Sequence, residues 1–218
     1  QVAVSERMVL RIPDALELDV AAPLLCAGIT TFSPLRRWGA APGVRVGVVG
    51  IGGLGHMAVK LAAAMGAEVT TFSRSDAKAA DALALGASRH VATSDARAMS
   101  DARGSLDLIV NTVSADLAME ADLALLRPFG VIANVGLPSG AYSVRPGALI
   151  GGNKVLTGSA IGGIPQTQEM LDFCAAHGIG ATIERIDASD PAAIDAAWDR
   201  VVAGDVRYRV VIDATTIG

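Results

Sequence analysis

Hydrophobic positions are most regular between residues 44 and 65, where the pattern predicts a strand, a glycine turn and a helix in succession. Residues 44–49 (VRVGVV) are mostly apolar and rich in β-branched side chains, which is typical of a buried strand. Four glycines fall within the next six residues, GIGGLG at 50–55. Met57, Leu61 and Met65 then recur at intervals of four, as on one face of a helix.

The alternation of strand and helix continues through the middle of the chain. Apolar runs predict strands near 67–72, 89–92, 106–111, 129–135 and 154–160, and helical periodicity predicts helices near 76–85, 115–126 and 145–151. The runs LDLIV (106–110) and VIANV (131–135) are apolar on both faces, which indicates parallel strands covered by helices on both sides. We therefore expect an α/β fold with a doubly wound parallel sheet of the Rossmann type.

Both ends of the chain have a different pattern. Residues 7–12 form a strand-like run, and residues 24–35 are predicted as a small-residue helix that follows Pro23. Beyond residue 164 the pattern predicts a helix over 166–177 ended by Gly178, a strand over 181–187, a helix over 191–202 and a strand over 208–212.

The glycine loop has the chemistry of a dinucleotide-binding turn. Gly50 allows a tight turn, Gly52 lacks the Cβ that would keep a pyrophosphate from the backbone, and Gly55 lets helix and strand approach closely. The N–H groups and dipole of the following helix favour an anion. The candidate contacts are Gly50, Gly52, Gly53, Leu54 and Gly55. A merely structural turn is the alternative, but the flanking strand and helix favour nucleotide binding.

Three further loops should converge on the same crevice. Ligands of doubly wound sheets bind beyond the carboxyl ends of the strands, and residues 73–75, 111–114 and 134–137 each follow a predicted strand. Thr112 lies in the second of these loops and is a further candidate contact.

The residues after the second strand distinguish the two nicotinamide cofactors. An acid here would accept hydrogen bonds from the ribose hydroxyls of NAD and repel a 2′-phosphate. The sequence instead has Ser73, Arg74, Ser75 and Lys78, a set of donors suited to phosphate, which favours NADP(H). The alternative is that Arg74 and Lys78 are solvated side chains at a helix start, with Asp76 as its N-cap.

Composition narrows the functional classes. The 218 residues carry a net charge of -4 and scattered basic side chains, so nucleic acid is not an expected partner. Cys26 and Cys174 give neither a disulfide framework nor a C-x-x-C metal motif, which fits a cytoplasmic location. No apolar run approaches the ~18 residues of a membrane span, so no membrane is expected as a partner. A mean hydropathy of +0.45 indicates apolar surface that another polypeptide covers.

Four segments carry a resemblance: APLLCAGIT at 22–30, GIGGLGHMAVK at 50–60, GSAIGG at 158–163 and DVRYRVVID at 205–213. They resemble the zinc-dependent medium-chain alcohol dehydrogenases, specifically the cinnamyl-alcohol-dehydrogenase-like branch, and the resemblance covers nearly the whole chain in order. It implies that an N-terminal barrel-like domain is missing, which supplies a Cys and a Gly-His-Glu segment to a catalytic zinc and four cysteines to a structural zinc. Gln at position 1 also suggests that the chain begins inside a longer reading frame.

The resemblance also implies a division of the chain and roles for several residues. Residues 1–26 would be a returning piece of the catalytic domain, 27–164 the dinucleotide-binding domain and 165–218 a C-terminal piece of the catalytic domain. Cys26 falls where the family places the third protein ligand of the catalytic zinc, although a free cysteine is usually a buried small hydrophobic residue.

Further cofactor contacts are implied by the resemblance alone. Thr30 would lie near the nicotinamide ribose and Arg207 would reach the pyrophosphate, whereas a backbone-bonded hydroxyl and a surface arginine are the alternatives. The segments whose backbone groups would hold the carboxamide include Val135, Gly136, Leu137, Ser159 and Ile161, which are otherwise simply strand ends.

The function implied is hydride transfer between NADP(H) and a primary alcohol or aldehyde, with zinc as Lewis acid. One alternative is a cofactor-binding module without catalysis, and another is a zinc-independent quinone-reductase-like relative, which needs no cysteine at position 26. The strand predicted at 154–160 is expected to lie at the edge of the sheet, and an uncovered edge is a template for a second strand. Since the resembling family pairs about a two-fold axis near this edge, we expect a homodimer through residues near 150–165.

Overall fold

The computed structural model describes residues 3–115 and 118–217 of the chain. They divide into two compact units, the first made of residues up to 29 together with those from 162 onward, and the second of Thr30–Ile161. The strands are β1 (Arg45–Val49), β2 (Glu68–Ser73), β3 (Arg89–Ala92), β4 (Leu106–Asn111), β5 (Leu126–Asn134), β6 (Val155–Gly158), β7 (Ile183–Asp187) and β8 (Arg209–Asp213). The α-helices are α1 (Leu18–Ala21), α2 (Ala27–Arg37), α3 (Gly55–Ala64), α4 (Ala79–Ala84), α5 (Ala96–Asp101), α6 (Met119–Leu125), α7 (Pro146–Ile150), α8 (Ile164–His177) and α9 (Pro191–Ala203).

The second unit contains a six-stranded sheet with the order β3-β2-β1-β4-β5-β6. Every neighbouring pair in this sheet is parallel. An order that runs outward in both directions from β1 and β4 is that of a doubly wound sheet, so the predicted fold class is confirmed. β6 lies at one edge of the sheet, as predicted, and β3 lies at the other.

The central strands are buried on both faces. All of β1 except Arg45 and all of β4 except Asp107 are buried. One layer of the core is formed by Phe72, Leu106 and Ile132 of the sheet together with Met119 and Leu123 of α6. Full burial of each such side chain contributes ~1.5–3 kcal/mol, which explains why unbroken apolar runs specify this sheet.

The amino ends of three strands are joined by one carboxylate. Asp107 of β4 accepts hydrogen bonds from the backbone N–H of Arg45, at 2.8 Å, and from its Nε, at 2.9 Å. It also accepts from the Nε of Arg127 in β5. The pKa of Asp107 is held well below its usual range by these arginines, against the opposing effect of burial. The ion pairs fix β1, β4 and β5 at the end of the sheet opposite the glycine loop.

The first unit contains a second, two-stranded sheet in which β7 and β8 pair in parallel. Helix α8 ends at Gly178, whose φ of +63° is left-handed, so the predicted helix stop is confirmed. Asp190 caps α9 by accepting a hydrogen bond from the N–H of Ala193 at 3.1 Å.

The predictions at the N-terminal end were partly wrong. Residues 9–13 have no regular secondary structure, and the segment before them is a 3₁₀ turn at Glu6–Met8. A side-chain amide takes the place of a strand partner here: the N–H of Arg11 donates to Gln168 Oε1 at 2.9 Å, and Gln168 Nε2 donates to the Arg11 carbonyl at 3.0 Å. The predicted helix over 24–35 is divided into a 3₁₀ turn, Ala22–Leu25, and the helix α2.

Among the described residues, no single helix is long and apolar enough to cross a membrane, although Leu18–Leu25 and Ala27–Arg37 together meet the criteria of length and composition as a bent pair.

Candidate dinucleotide site

A crevice of about 600 Å³ opens at the carboxyl ends of β1, β2 and β4. Its walls come from the glycine loop, from the segment after β2 and from the loop after β4. The lining residues include Gly50, Ile51, Ser73, Arg74, Ser75, Lys78, Thr93 and Val113. The structure therefore brings residues of the glycine loop, of 73–75 and of 111–114 to one crevice, whereas its described lining includes none of residues 134–137.

The glycine loop leaves β1 through a turn that only glycine adopts without strain. Gly50 has a φ of +87°, and its N–H donates to the carbonyl of Phe72 at 2.8 Å. A Cβ at Gly55 would lie 1.9 Å from the carbonyl oxygen of Gly50, so only hydrogen fits where α3 starts. A Cβ at Gly52, in contrast, would meet no heavy atom within 4 Å. The loop therefore has backbone that a phosphate can approach, in front of the N-terminus of a ten-residue helix.

Thr112 supports this turn from the neighbouring strand. Its Oγ1 lies 2.9 Å from the carbonyl oxygen of Val49 and 3.1 Å from that of Gly50. Because these carbonyls share the one hydroxyl proton, Thr112 acts on the loop itself, and its predicted contact with a cofactor stays a prediction.

The segment after β2 presents cationic and hydroxyl groups to the crevice. Arg74 and Ser75 are exposed, and Lys78 donates from Nζ to the carbonyl of Ile51 at 2.8 Å, which places its ammonium group beside the glycine loop. Ser73 donates its hydroxyl proton to the Ser75 carbonyl at 2.8 Å. Asp76–Lys78 forms a 3₁₀ turn before α4. The interpretation of Asp76 as an N-cap is wrong, because Ser75 occupies the cap position of this turn, and the Ser75 side chain makes no cap hydrogen bond.

A histidine on the edge strand was not expected to take part in this segment. His90 of β3 has Nδ1 2.8 Å from Thr71 Oγ1. Its Nε2 lies 3.2 Å from the Ser75 carbonyl oxygen and 3.3 Å from Ser73 Oγ. Sequence spacing gave no signal for these contacts, because they depend on the parallel register that places His90 opposite Thr71.

The ends of β4 and β5 are connected by an amide network. Asn111 Nδ2 donates to Asn134 Oδ1 at 2.7 Å, and the hydroxyl of Tyr142 donates to the same oxygen at 2.9 Å. Asn134 Nδ2 in turn donates to the Gly136 carbonyl at 2.7 Å. A Cβ at Gly136 would lie 2.1 Å from the carbonyl oxygen of Val113, so the two loops cross in close contact. Sequence reasoning missed Tyr142, for which the pattern of the chain holds no signal.

The other residues of the second unit that were predicted to contact the cofactor are described mainly by their backbone hydrogen bonds and exposure. The N–H of Val135 donates to the Asn111 carbonyl at 2.9 Å, and that of Ser159 donates to the Asn134 carbonyl at 3.0 Å. The side chains of Leu137 and Ile161 are 87% and 58% exposed, so they are not held by the core. Thr30 is half-buried on α2.

Cys26 and Arg207 belong to the first unit. Cys26 is exposed, and its N–H donates to the Pro23 carbonyl at 3.2 Å. The described residues contain no group of three or more His, Cys, Asp or Glu side chains that could hold a metal, so Cys26 has no companion ligands there. The N–H of Arg207 donates to Glu184 Oε1 at 2.7 Å, and its guanidinium lies 5.8 Å from the ring centre of Tyr208.

A family model described as zinc-binding dehydrogenase matches residues 53–176. NADP-dependent alcohol dehydrogenase C 1 of Mycolicibacterium smegmatis is 55% identical over 216 residues, which make up 99% of this chain and 61% of that protein. The chain therefore spans about three-fifths of the length of this curated relative.

Solved structures give the same relation. A cinnamyl alcohol dehydrogenase from Sorghum bicolor is 44% identical, with a TM-score of 0.93 over 97% of this chain and 60% of that one. The structure of CAD from Helicobacter pylori complexed with NADP(H) is 40% identical, with a TM-score of 0.87 over 97% of this chain and 60% of that one.

Proposed function

Because the chain belongs to the zinc-binding dehydrogenase family, we propose that it is the NADP(H)-binding part of an alcohol dehydrogenase or aldehyde reductase. The observation that carries this proposal is the segment after β2. Arg74, Ser75 and Lys78 line a crevice of about 600 Å³ whose described lining residues include no acid. A guanidinium, a hydroxyl and an ammonium group suit a 2′-phosphate, whereas NAD sites place an acid at this point.

The residues present fit the cofactor in its other parts. We assign the pyrophosphate to the loop from Gly50 to Gly55, which includes Gly53 and Leu54, since Gly52 leaves its backbone open and α3 points its N-terminus at the loop. We assign the carboxamide to the backbone of residues 135–137 and to Ser159 and Ile161. For Thr30 at the nicotinamide ribose and Arg207 at the pyrophosphate, the support is the family resemblance alone.

NADPH would donate a hydride to an aldehyde, and NADP⁺ would accept one from a primary alcohol. This chain contributes binding and orientation: the amide network of Asn111 and Asn134 fixes the loops that would face the nicotinamide. A catalytic zinc needs about three protein ligands and an open position. The described residues offer Cys26 without companion ligands, so they do not fit a complete zinc site and we derive no step through zinc. We propose Cys26 as a ligand that is completed only in the longer proteins.

A cofactor-binding module without catalysis is favoured for the 218-residue chain by itself. Two observations support this: the chain covers 61% of the length of the Mycolicibacterium smegmatis relative, and the described residues lack a complete set of zinc ligands. We expect the chain to bind NADPH but not to oxidise it when an aromatic aldehyde and zinc are added. Absorbance at 340 nm follows this directly, and turnover by the chain alone would contradict both the module and the incomplete zinc site.

The cofactor proposal is tested by Arg74→Ala. We expect NADPH to bind wild type more tightly than NADH, and Arg74→Ala to narrow the difference by about 1–3 kcal/mol, the scale of a charge-assisted hydrogen bond. Fluorescence titration at low salt measures both affinities. Arg97→Ala is the matched control, because Arg97 is also exposed but lies on α5 and is not among the residues that line the crevice. Equal affinities of wild type for the two cofactors would refute the proposal.

We also propose a cytoplasmic homodimer. Both cysteines are free, which fits a reducing compartment. The edge strand β6 and its neighbours expose Phe129 (67%), Ile150 (74%), Val155 (38%) and Ile161 (58%), an apolar surface beside unpaired strand groups. Sedimentation should give a dimer at tens of micromolar for wild type and a monomer for Val155→Asp. Leu83→Asp, on α4, is the control that should leave the dimer intact. A monomeric wild-type chain would contradict the proposed association.

A further inference from the structure

His90 bridges two strands and the segment that carries the proposed 2′-phosphate donors. It is half-buried on β3, and the register places it opposite Thr71 of β2. Side chains of a strand alternate between faces, so Thr71 and Ser73 lie on one side of β2. One imidazole can therefore contact both residues, and its two nitrogens lie 2.8 Å from Thr71 Oγ1 and 3.3 Å from Ser73 Oγ.

The partners of the ring assign its proton. A backbone carbonyl only accepts hydrogen bonds, so Nε2, which lies 3.2 Å from the Ser75 carbonyl oxygen, carries the N–H. In the neutral ring Nδ1 is then an acceptor, and the Thr71 hydroxyl at 2.8 Å supplies the donor. The other acceptor near that hydroxyl, the Arg89 carbonyl, is more distant at 3.4 Å.

The Ser75 carbonyl accepts two side-chain hydrogen bonds. Ser73 Oγ donates to it at 2.8 Å and His90 Nε2 at 3.2 Å. The proton of Ser73 is thus already used inside the segment, so the segment's donors that line the crevice are Arg74, Ser75 and Lys78. The orientation of Arg74 and Ser75 depends on the peptide groups between Ser73 and Ser75. The backbone N–H of Thr93, just after β3, donates to the Ser73 carbonyl at 2.7 Å and holds the first of these groups. His90 holds the Ser75 carbonyl from β3.

We propose that His90 is a positioning residue that determines cofactor specificity: by fixing the Ser75 carbonyl it orients Arg74 and Ser75 toward the 2′-phosphate of NADP(H). This inference rests on the proposed function, since it concerns the same crevice. It predicts that His90 affects binding of the 2′-phosphate and not binding of the adenosine or pyrophosphate, because the glycine loop is held separately by Thr112 and Phe72.

The test uses the 218-residue chain and four probes: NADPH, NADH, adenosine 2′,5′-bisphosphate and 5′-AMP. His90→Phe keeps a ring of similar size but removes both hydrogen bonds. We expect it to weaken the binding of NADPH and of the bisphosphate about 3- to 10-fold, which is the effect of one hydrogen bond. The affinities for NADH and 5′-AMP should stay within about 2-fold of wild type. His90→Gln keeps an N–H donor in reach of the Ser75 carbonyl and should restore most of the NADPH affinity.

Thr71→Val provides a second variant that leaves the imidazole in place. It removes the hydroxyl that donates to Nδ1 and should reduce the preference for NADPH in the same direction, by a smaller factor. ¹⁵N chemical shifts of the ring report the tautomer, and we expect the Nε2–H form in wild type and a mixture of tautomers in Thr71→Val. A purely structural role of His90 would leave the NADPH to NADH ratio unchanged.

The outcomes separate the inference from the proposed function. If wild type binds NADPH and NADH equally, the proposed cofactor preference is wrong. If wild type prefers NADPH but His90→Phe weakens both cofactors equally, or neither, the positioning role is wrong while the cofactor proposal stands. If His90→Phe does not fold by circular dichroism, His90→Gln and Thr71→Val decide, and an unchanged ratio in Thr71→Val then contradicts the inference.

Discussion

Asp107→Asn should destabilise the second unit without affecting cofactor binding. The side chain of Asp107 is only 15% exposed and accepts hydrogen bonds from Arg45 and Arg127, which are 40% and 44% exposed. Asparagine keeps the shape and one acceptor oxygen but removes the charge. A hydrogen bond to a charged group contributes ~1.5–3 kcal/mol, and the partial exposure of both arginines reduces this contribution. We therefore expect the free energy of unfolding to fall by about 2 kcal/mol. The melting temperature should fall by roughly 4–8 °C.

The pH dependence gives the same prediction a second readout. The pKa of Asp107 in the folded state lies below its ordinary value of 3.8, so the unfolded chain takes up the proton first as the pH falls. The stabilisation is therefore fully present above about pH 5 and is lost as the pH falls below about 4 toward the folded pKa. Urea unfolding followed by circular dichroism at pH 7 and pH 3 measures the difference between wild type and Asp107→Asn at each pH.

The control is Asp101→Asn, which changes the same charge at an exposed position on α5. It should change the free energy of unfolding by less than about 0.5 kcal/mol at either pH. NADPH should bind to folded Asp107→Asn as it does to wild type, because the ion pairs lie at the opposite end of the sheet from the crevice. The reasoning fails if Asp107→Asn matches wild type at pH 7, or if its deficit is the same at pH 3.

Two further predictions concern the loop and the core. Gly55→Ala would place a Cβ 1.9 Å from the Gly50 carbonyl oxygen and should lower both stability and NADPH affinity, whereas Gly52→Ala meets no heavy atom within 4 Å and should keep the melting temperature while weakening NADPH. Burial raises the pKa of Asp122 from its ordinary 3.8 to about 6. Asp122→Asn should therefore stabilise the fold by up to about 3 kcal/mol above pH 6 and have almost no effect near pH 4, and equal effects at pH 7.5 and pH 4 in thermal unfolding would contradict this.

The fold was predictable because its signals are local. The strand over 89–92 and the glycine turn at 50–55 are specified by neighbouring residues, and the structure has both at those positions. Residues 7–12 show the limit of such signals. Their apolar pattern predicts a strand, but the structure pairs Arg11 with the side-chain amide of Gln168, which lies 157 positions away. Met8 and Val9 also stay 68% and 55% exposed, so a short apolar run at the end of a chain specifies neither a strand nor burial.

The site was predictable in its location but not in its internal hydrogen bonds. The carboxyl ends of parallel strands meet at one edge, so the loops after β1, β2 and β4 could be placed together from sequence alone. Which group donates to which depends on register. The contact of His90 with Ser73 follows from the pairing of β3 with β2, and the contact of Tyr142 with Asn134 follows from the path of a loop. Neither relation is encoded in the spacing of residues along the chain.

Ser73→Asp should reverse the cofactor preference, and the reversal follows from the partners of Ser73. In wild type the Ser73 hydroxyl donates to the Ser75 carbonyl and lies 3.3 Å from His90 Nε2. A carboxylate cannot donate, so the bond to Ser75 is lost, while the Nε2–H of His90 can donate to the new acid. The acid would also repel a 2′-phosphate and accept from ribose hydroxyls. We expect NADPH to weaken at least about 10-fold and NADH to tighten, measured by the same titration. Unchanged NADPH affinity in folded Ser73→Asp would show that the end of β2 does not select the cofactor.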